Sequence, residues 1–211
     1  MIDPDQLATV DPFAIAGDDA RIAFWINVYN ELLLDELRRS PRTGSVLRHR
    51  GLFRATACRV GEHDYSLDVI EHGVLRRNAR IPLRLGRTLR RGDRRLAAMP
   101  SRLEPRIHFA LNCGAVSCPP IQRYCADGLG QELARVTTAY MRAETRIDRD
   151  RERVTLPYLM RLYRADFGGR REALEFAARH LGADDASWLR STSGVRVEYG
   201  NFDWTLAPPE R

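Results

Sequence analysis

The sequence predicts a helix-rich α+β fold, a single domain over residues 1–211 with a small, mainly antiparallel sheet. Three observations lead there. Apolar residues recur at helical spacing in several long segments, whereas strand-like stretches appear as one hairpin and scattered singles, without the regular βα alternation of a parallel sheet. No run approaches the roughly 18 apolar residues of a membrane span. The 44% apolar and 29% charged shares are ordinary for a globular chain.

In chain order, an acidic lead over residues 1–17 reads as loose. Asp18 and Asp19 are placed to cap a helix from about Ala20 to Arg39, whose apolar surface runs nearly all round, which makes it the central buried helix. Ser40-Pro41 ends it. Leu52–Val60 and Tyr65–Leu67, joined through Gly61, read as a β-hairpin. Ser66 or Asp68 caps a helix over Val69–Arg76, with Ile70 and Val74 inward and His72 about half a turn away. Residues 77–105 read as an arginine-rich surface excursion of lid type, punctuated by Pro82, Gly86, Gly92 and Pro100. Farther on, Asp127 opens a helix carrying Leu129, Leu133, Val136, Tyr140 and Met141, and Val154–Leu156 is a strand. A helix from Pro157 to Phe167 stops at Gly168-Gly169, and another spans Glu172–Leu181. Val195–Tyr199 alternates as a strand, and Asn201–Leu206 is expected to close the sheet edge.

The net charge of +6 and pI near 9.5 come from arginine alone, since the chain has no lysine. The cluster Arg77, Arg80, Arg84, Arg87, Arg90, Arg91, Arg94 and Arg95 lacks interleaved aromatics and any nucleic-acid-binding signature, so it reads as a solvated face and not a nucleic-acid site. The acidic start lacks the features of a signal peptide, and a cytoplasmic location is expected. Four cysteines are too few for a disulfide scaffold and are expected as free thiols. Cys113 and Cys118 lack redox CxxC or zinc-knuckle spacing; no metal and no cofactor is expected.

Unusual residues concentrate in Arg106–Ile121. As a strand, this run sends Ile107, Phe109, Leu111 and Cys113 to one face and Arg106, His108, Ala110 and Asn112 to the other. Gly114 frees the chain to turn, and Pro119-Pro120 stiffens the backbone after Cys118. An extended strand would put His108 about 20 Å from that turn.

Four ordered blocks carry a family resemblance: Phe24–Asn30 (FWINVYN), Tyr65–Arg76 (YSLDVIEHGVLR), Arg106–Pro120 and Asp203-Trp204. Together they resemble the domain-of-unknown-function 547 family over roughly Ala20 to Leu206, although Ala207-Pro208 departs from its usual ending. The resemblance implies a domain found alone in bacteria and fused elsewhere to glutaredoxin-like or other domains. It supplies no biochemical activity.

The residues themselves suggest thiol chemistry. Cys118 is the preferred nucleophile, because strand parity assigns Cys113 to the apolar core. His72 is the preferred proton acceptor and His108, on the cysteine's own strand, the second candidate. Asn27, Asn30, Asn112 or Glu71 could orient the imidazole, and Asn112 or the Ser117-Cys118 backbone could stabilise an oxyanion; Asp203 is a supporting residue. This would be a papain-like or transglutaminase-like cysteine hydrolase or acyl transferase, in permuted order because its histidine precedes its cysteine, acting on a small-molecule or peptide substrate. The alternative is a non-catalytic ligand- or peptide-binding module in which the His, Asn and Cys cluster is structural, the asparagines tying loop backbone to helix.

Overall fold

The computed structural model describes residues 4–82 and 86–207, so Arg84, the first three residues and Pro208 onward lie outside the described residues. The fold is α+β, with helices and two small sheets. Contacts cluster into two compact units, Met1–Gly130 with Asp203–Arg211, and Gln131–Phe202.

In the first unit, α1 (Pro4–Thr9) occupies part of the lead expected to be loose. Leu7 is its buried residue, and the Leu7 carbonyl accepts from the Val10 and Gly61 amides, tying the lead to the hairpin. Helix α2 (Asp18–Arg39) is central as expected, with Trp25, Ile26, Tyr29 and Leu33 essentially inaccessible. Its cap differs from the expectation. Gly17 holds the N-cap position, and the Asp18 carboxylate instead accepts from the amide and hydroxyl of Ser101 at 2.7 and 2.6 Å. The two acidic residues still favour the positive end of the helix dipole.

A short 3₁₀ turn (Val46–His49) precedes α3 (Leu52–Ala55), which takes the first half of the stretch read as a strand. The hairpin itself is β1 (Ala57–Val60) against β2 (His63–Ser66), antiparallel, with Val60 opposite His63. Its turn needs glycine: Gly61 has φ +56°, and a Cβ there would lie 2.7 Å from the Val10 carbonyl oxygen.

The following helix is a π-helix (Val69–Leu75), not the α-helix expected. Its wider turn is visible in the amides of Arg76 and Asn78, which reach the carbonyls five residues back, those of Glu71 and Gly73. All seven of its residues are buried, so His72 lies inside and not at the border of the core. Gly73 leaves room for Leu89, whose side chain would be 3.0 Å from a Cβ there.

The arginine-rich stretch is more built-in than a surface excursion. Asn78 clamps the Leu89 backbone through both ends of its amide, Leu89 and Ala98 are buried, and a 3₁₀ turn runs Arg94–Ala98. Arg77 and Arg87 donate to backbone carbonyls, and Arg95 holds Asp93 in a two-pronged ion pair.

The largest correction concerns Arg106–Ile121, which is not a strand. Glu104 caps a 3₁₀ helix (Pro105–Phe109), its carboxylate accepting from the Arg106 amide and guanidinium, and the chain then runs as an irregular loop. Strand parity and the extended 20 Å span therefore do not apply. The C-terminal segment also pairs elsewhere than expected. Thr205 bridges to Ser45 and Leu206 to Ala115, both antiparallel, within the first unit.

In the second unit, which takes most of α4 (Leu129–Glu144), β3 (Arg146–Asp148) pairs antiparallel with β4 (Arg153–Leu156), and β4 pairs parallel with β5 (Arg196–Tyr199). Helix α5 covers only Tyr158–Leu162, shorter than the expected run to Phe167. Helices α6 (Arg170–His180) and α7 (Ala183–Ser191) pack together, and α7 and β3 had no counterpart in the sequence reading.

Candidate functional site

The site begins with two asparagines of α2. The Asn30 amide donates to the Ala110 carbonyl at 2.9 Å and accepts from the Asn112 amide at 3.0 Å, in a position 1% exposed. One turn earlier, Asn27 does the same for a single residue, donating to the Tyr124 carbonyl at 2.8 Å and accepting from its amide at 2.9 Å. A carboxamide carries one acceptor and one donor group, which suits it to cap a backbone carbonyl and a backbone N–H together. The central helix thus pins both ends of the loop over residues 110–124.

Between these pins, Asn112 shapes the turn. Its side chain accepts from the Gly114 amide at 2.6 Å and donates to the Pro119 carbonyl at 2.8 Å. Gly114, at φ +86°, supplies the left-handed step, and a Cβ there would press on Leu37 at 3.1 Å. The Cys118 amide closes onto the Ala115 carbonyl at 3.0 Å. The C-terminal segment flanks this turn: Val116 and Ala207 amides donate to the Thr205 and Gly114 carbonyls, and Ser117 exchanges two hydrogen bonds with the Asp203 backbone. Asp203 spends its carboxylate on the Thr205 amide.

The turn brings two sulfurs together. Cys113 Sγ and Cys118 Sγ lie 2.7 Å apart, and the Cys113 amide donates to Cys118 Sγ at 3.0 Å. Cys113 is therefore half-buried against another thiol, not a small apolar residue of the core. Burial pushes the Cys118 thiol up, but hydrogen bonds from the Cys113 thiol and from the backbone around Cys113, Ala115 and Gly114 outweigh it and bring the pKa below the ordinary thiol value. Successive N–H groups folded over one atom form a nest that favours an anion, and here the atom is the Cys118 sulfur, whose ionised form they stabilise. Cys113 moves the opposite way, well up, through its hydrogen bond to Cys118, burial, the Cys118 charge and the Glu71 carboxylate. The two thiols shift in opposite directions, Cys118 down and Cys113 up, so Cys118 is the more readily ionised of the pair.

Cys118 opens on a cavity of about 290 Å³ whose lining includes Leu34, Leu37, Val116, Ile121 and Leu206, with Arg38 and Arg42 also on its wall. Arg42 is paired with Glu36 at 2.6 Å, and Arg38 is exposed. Cys58 is unlike Cys118: burial pushes it up to about 11.

His72 and His108 belong to a buried polar group. Asp68, Glu71, His72, Arg76 and His108 are each 3–8% exposed. Arg76 Nη1 is 3.0 Å from His72 Nδ1, and because a guanidinium only donates, Nδ1 must accept and the ring proton sits on Nε2, 3.9 Å from Asp68 Oδ1. Glu71 Oε1 is 3.6 Å from His72 Nδ1, and the Tyr29 hydroxyl reaches Glu71 Oε2 at 3.4 Å. Burial, above all, lowers the His72 pKa, so the ring is neutral near pH 7. Among the described residues its polar contacts are with Arg76, Glu71 and Asp68, and not with Cys118. What links this cluster to the sulfurs is Glu71, whose charge is felt at Cys113.

The family model described as "Protein of unknown function, DUF547" matches residues 14–141, more than half of the chain. The chain belongs to the DUF547 family. The DUF547 match takes in Asn27, Asn30, Glu71, His72, His108, Asn112, Cys113, Ser117 and Cys118, and ends before Asp203. No curated protein and no solved structure matches the chain. For this DUF547 chain, the site residue whose partner sequence reasoning missed is Cys113. Its signal was Gly114 beside it, which lets a five-residue return bring the two cysteines face to face.

Proposed function

We propose that this DUF547 protein is a cysteine-dependent hydrolase or acyl transferase in which Cys118 is the nucleophile. The observation that carries the reading is a hydrogen-bonded Cys118 sulfur, held in a backbone nest, at the wall of an apolar cavity. A thiolate stabilised this way needs no imidazolium partner. The Cys118 thiolate attacks an acyl carbonyl carbon, the bond to the leaving group breaks and that group takes a proton from water; water or a second nucleophile then attacks the thioester, loses its proton to solvent and frees the thiolate. The cavity favours a small-molecule or peptide substrate with an apolar acyl part.

The other residues position this nucleophile. Asn27 and Asn30 anchor the loop, and Asn112, Ser117 and Asp203 hold its turn. The expected oxyanion donors are engaged inside the loop: Asn112 Nδ2 on Pro119 and the Cys118 amide on Ala115. The hydrogen bond to Cys118 and burial push the Cys113 thiol up, and the Glu71 charge adds to them.

Incubation with the p-nitrophenyl ester of a medium-chain fatty acid tests the reading. A stoichiometric burst of nitrophenolate and an acyl adduct on Cys118 by peptide mass, both lost in Cys118→Ala, are expected. Absence of the adduct, or equal release by Cys118→Ala, contradicts it and leaves the cavity to a non-catalytic ligand.

A further inference from the structure

The geometry points to a second activity at the same turn: we propose that Cys113 and Cys118 form a reversible dithiol–disulfide pair, with Cys118 attacking an oxidant and Cys113 resolving it. Three features of the turn carry this. The sulfurs, 2.7 Å apart, have only about 0.7 Å to close to a disulfide bond of roughly 2.05 Å. They lie on one short loop whose ends are fixed by Asn30 and Asn27, and Gly114 gives its interior a backbone step that other residues resist. The two thiols are also unequal: the Cys113 amide donates to Cys118 Sγ, and backbone donors bring the Cys118 pKa down while that of Cys113 is pushed up, which is the division of labour between an attacking and a resolving cysteine.

The oxidant class is a hydroperoxide. The Cys118 thiolate takes the terminal peroxide oxygen, the O–O bond breaks, and the remaining alkoxide or hydroxide leaves as alcohol or water after gaining a proton. Cys118 is then a sulfenic acid. Cys113 loses its proton, its sulfur displaces the hydroxyl from Cys118, an S–S bond forms and a second water departs. In sum, two thiols and one hydroperoxide give a disulfide, an alcohol or water, and water. An external dithiol reverses the bond by exchange. Cys58 and Cys125 do not compete within the pair, since Cys58 is pushed up to about 11 by burial and Cys125 is an exposed residue outside the turn. The proposal shares the Cys118 thiolate with the acyl-transfer reading but requires no acyl chemistry, and it makes oxidation a means of withdrawing the nucleophile.

The test uses the full chain and hydrogen peroxide at near-stoichiometric amount, followed by alkylation and trypsin. Cleavage after Arg106 and Arg123 releases Ile107–Arg123, which contains both cysteines. The expected product is this peptide about 2 Da lighter and unalkylated, returned to double alkylation by dithiothreitol. In Cys113→Ser, dimedone should capture a sulfenic acid on Cys118; in Cys118→Ser, Cys113 should remain alkylatable after peroxide. Wild-type peptide still doubly alkylated after peroxide, or carrying a sulfinic acid on Cys118 beside a free Cys113, overturns the pair. Formation of the disulfide without any acyl adduct on the reduced protein supports the pair while the acyl-transfer reading fails; an adduct without a disulfide overturns the pair alone.

Discussion

Replacing Asn30 by alanine should destabilise the protein by about 3 kcal/mol, because two backbone groups lose their partners at once. The Ala110 carbonyl and the Asn112 amide both meet the Asn30 side chain, which is 1% exposed. Orphaning a buried polar group costs about 1–3 kcal/mol, so the pair would cost roughly 2–6, and relaxation of a loop with half-buried neighbours places the result toward the lower half. Asn30→Asp should be no better, since it keeps an acceptor for Asn112 but turns a carboxylate on the Ala110 carbonyl. The assay is urea unfolding followed by circular dichroism, with the slope checked for constancy so that the midpoint shift reports stability. The same variant should lose the selective alkylation of Cys118, because the end of the loop nearest Cys113 is released. A loss below about 1 kcal/mol together with wild-type labelling would refute the view that the helix clamps the loop.

Stability should also fall on the acid side of neutrality through His72. Its pKa is lowered in the fold by burial, so below the ordinary value of about 6.5 the unfolded chain binds a proton that the native state refuses, and stability decreases as pH falls. Urea midpoints at pH 7 and pH 5 should differ less in His72→Gln than in wild type; equal differences would remove His72 as the cause. Tyr65→Phe should be neutral or stabilising by up to about 1 kcal/mol, because the buried Tyr65 hydroxyl has no hydrogen-bond partner among the described residues while its ring packs at a tilt on Trp25, centroids 4.5 Å apart. A loss of 2 kcal/mol or more by the same urea titration would show that the hydroxyl is satisfied. Gly61→Ala should cost about 1–3 kcal/mol, since φ is +56° and the new Cβ meets the Val10 carbonyl at 2.7 Å; an unchanged midpoint would mean the lead gives way freely.

How much of this was legible in the sequence depends on which physical signal governs each part. Periodicity governs α2, α4, α6 and the hairpin, and their sequence reading holds because apolar residues at those spacings have one good way to be buried. The π-helix is invisible to that signal, since one residue more per turn leaves the apolar spacing of Val69–Leu75 compatible with an α-helix. The run Ile107, Phe109, Leu111 alternates like a strand, yet Pro105 after Glu104 starts a 3₁₀ turn, and local capping prevails over a weak period of two. The same alternation misplaces site residues, because parity sends Cys113 and His108 to opposite faces of a strand where the chain forms a 3₁₀ turn and a loop. Asn27 and Asn30 show the reverse. Their spacing put them on one face of a buried helix, and the need to satisfy buried amides foretold loop backbone as their partner.

The preference of Cys118 for its ionised form, set by its neighbours, is tested most directly by the pH dependence of iodoacetamide labelling at each cysteine, read by peptide mass. Cys118 is expected to become reactive below the free-thiol range of about 8.5, ahead of Cys113 and Cys58. Labelling of Cys118 that rises only at or above that range, in step with the other cysteines, would contradict it.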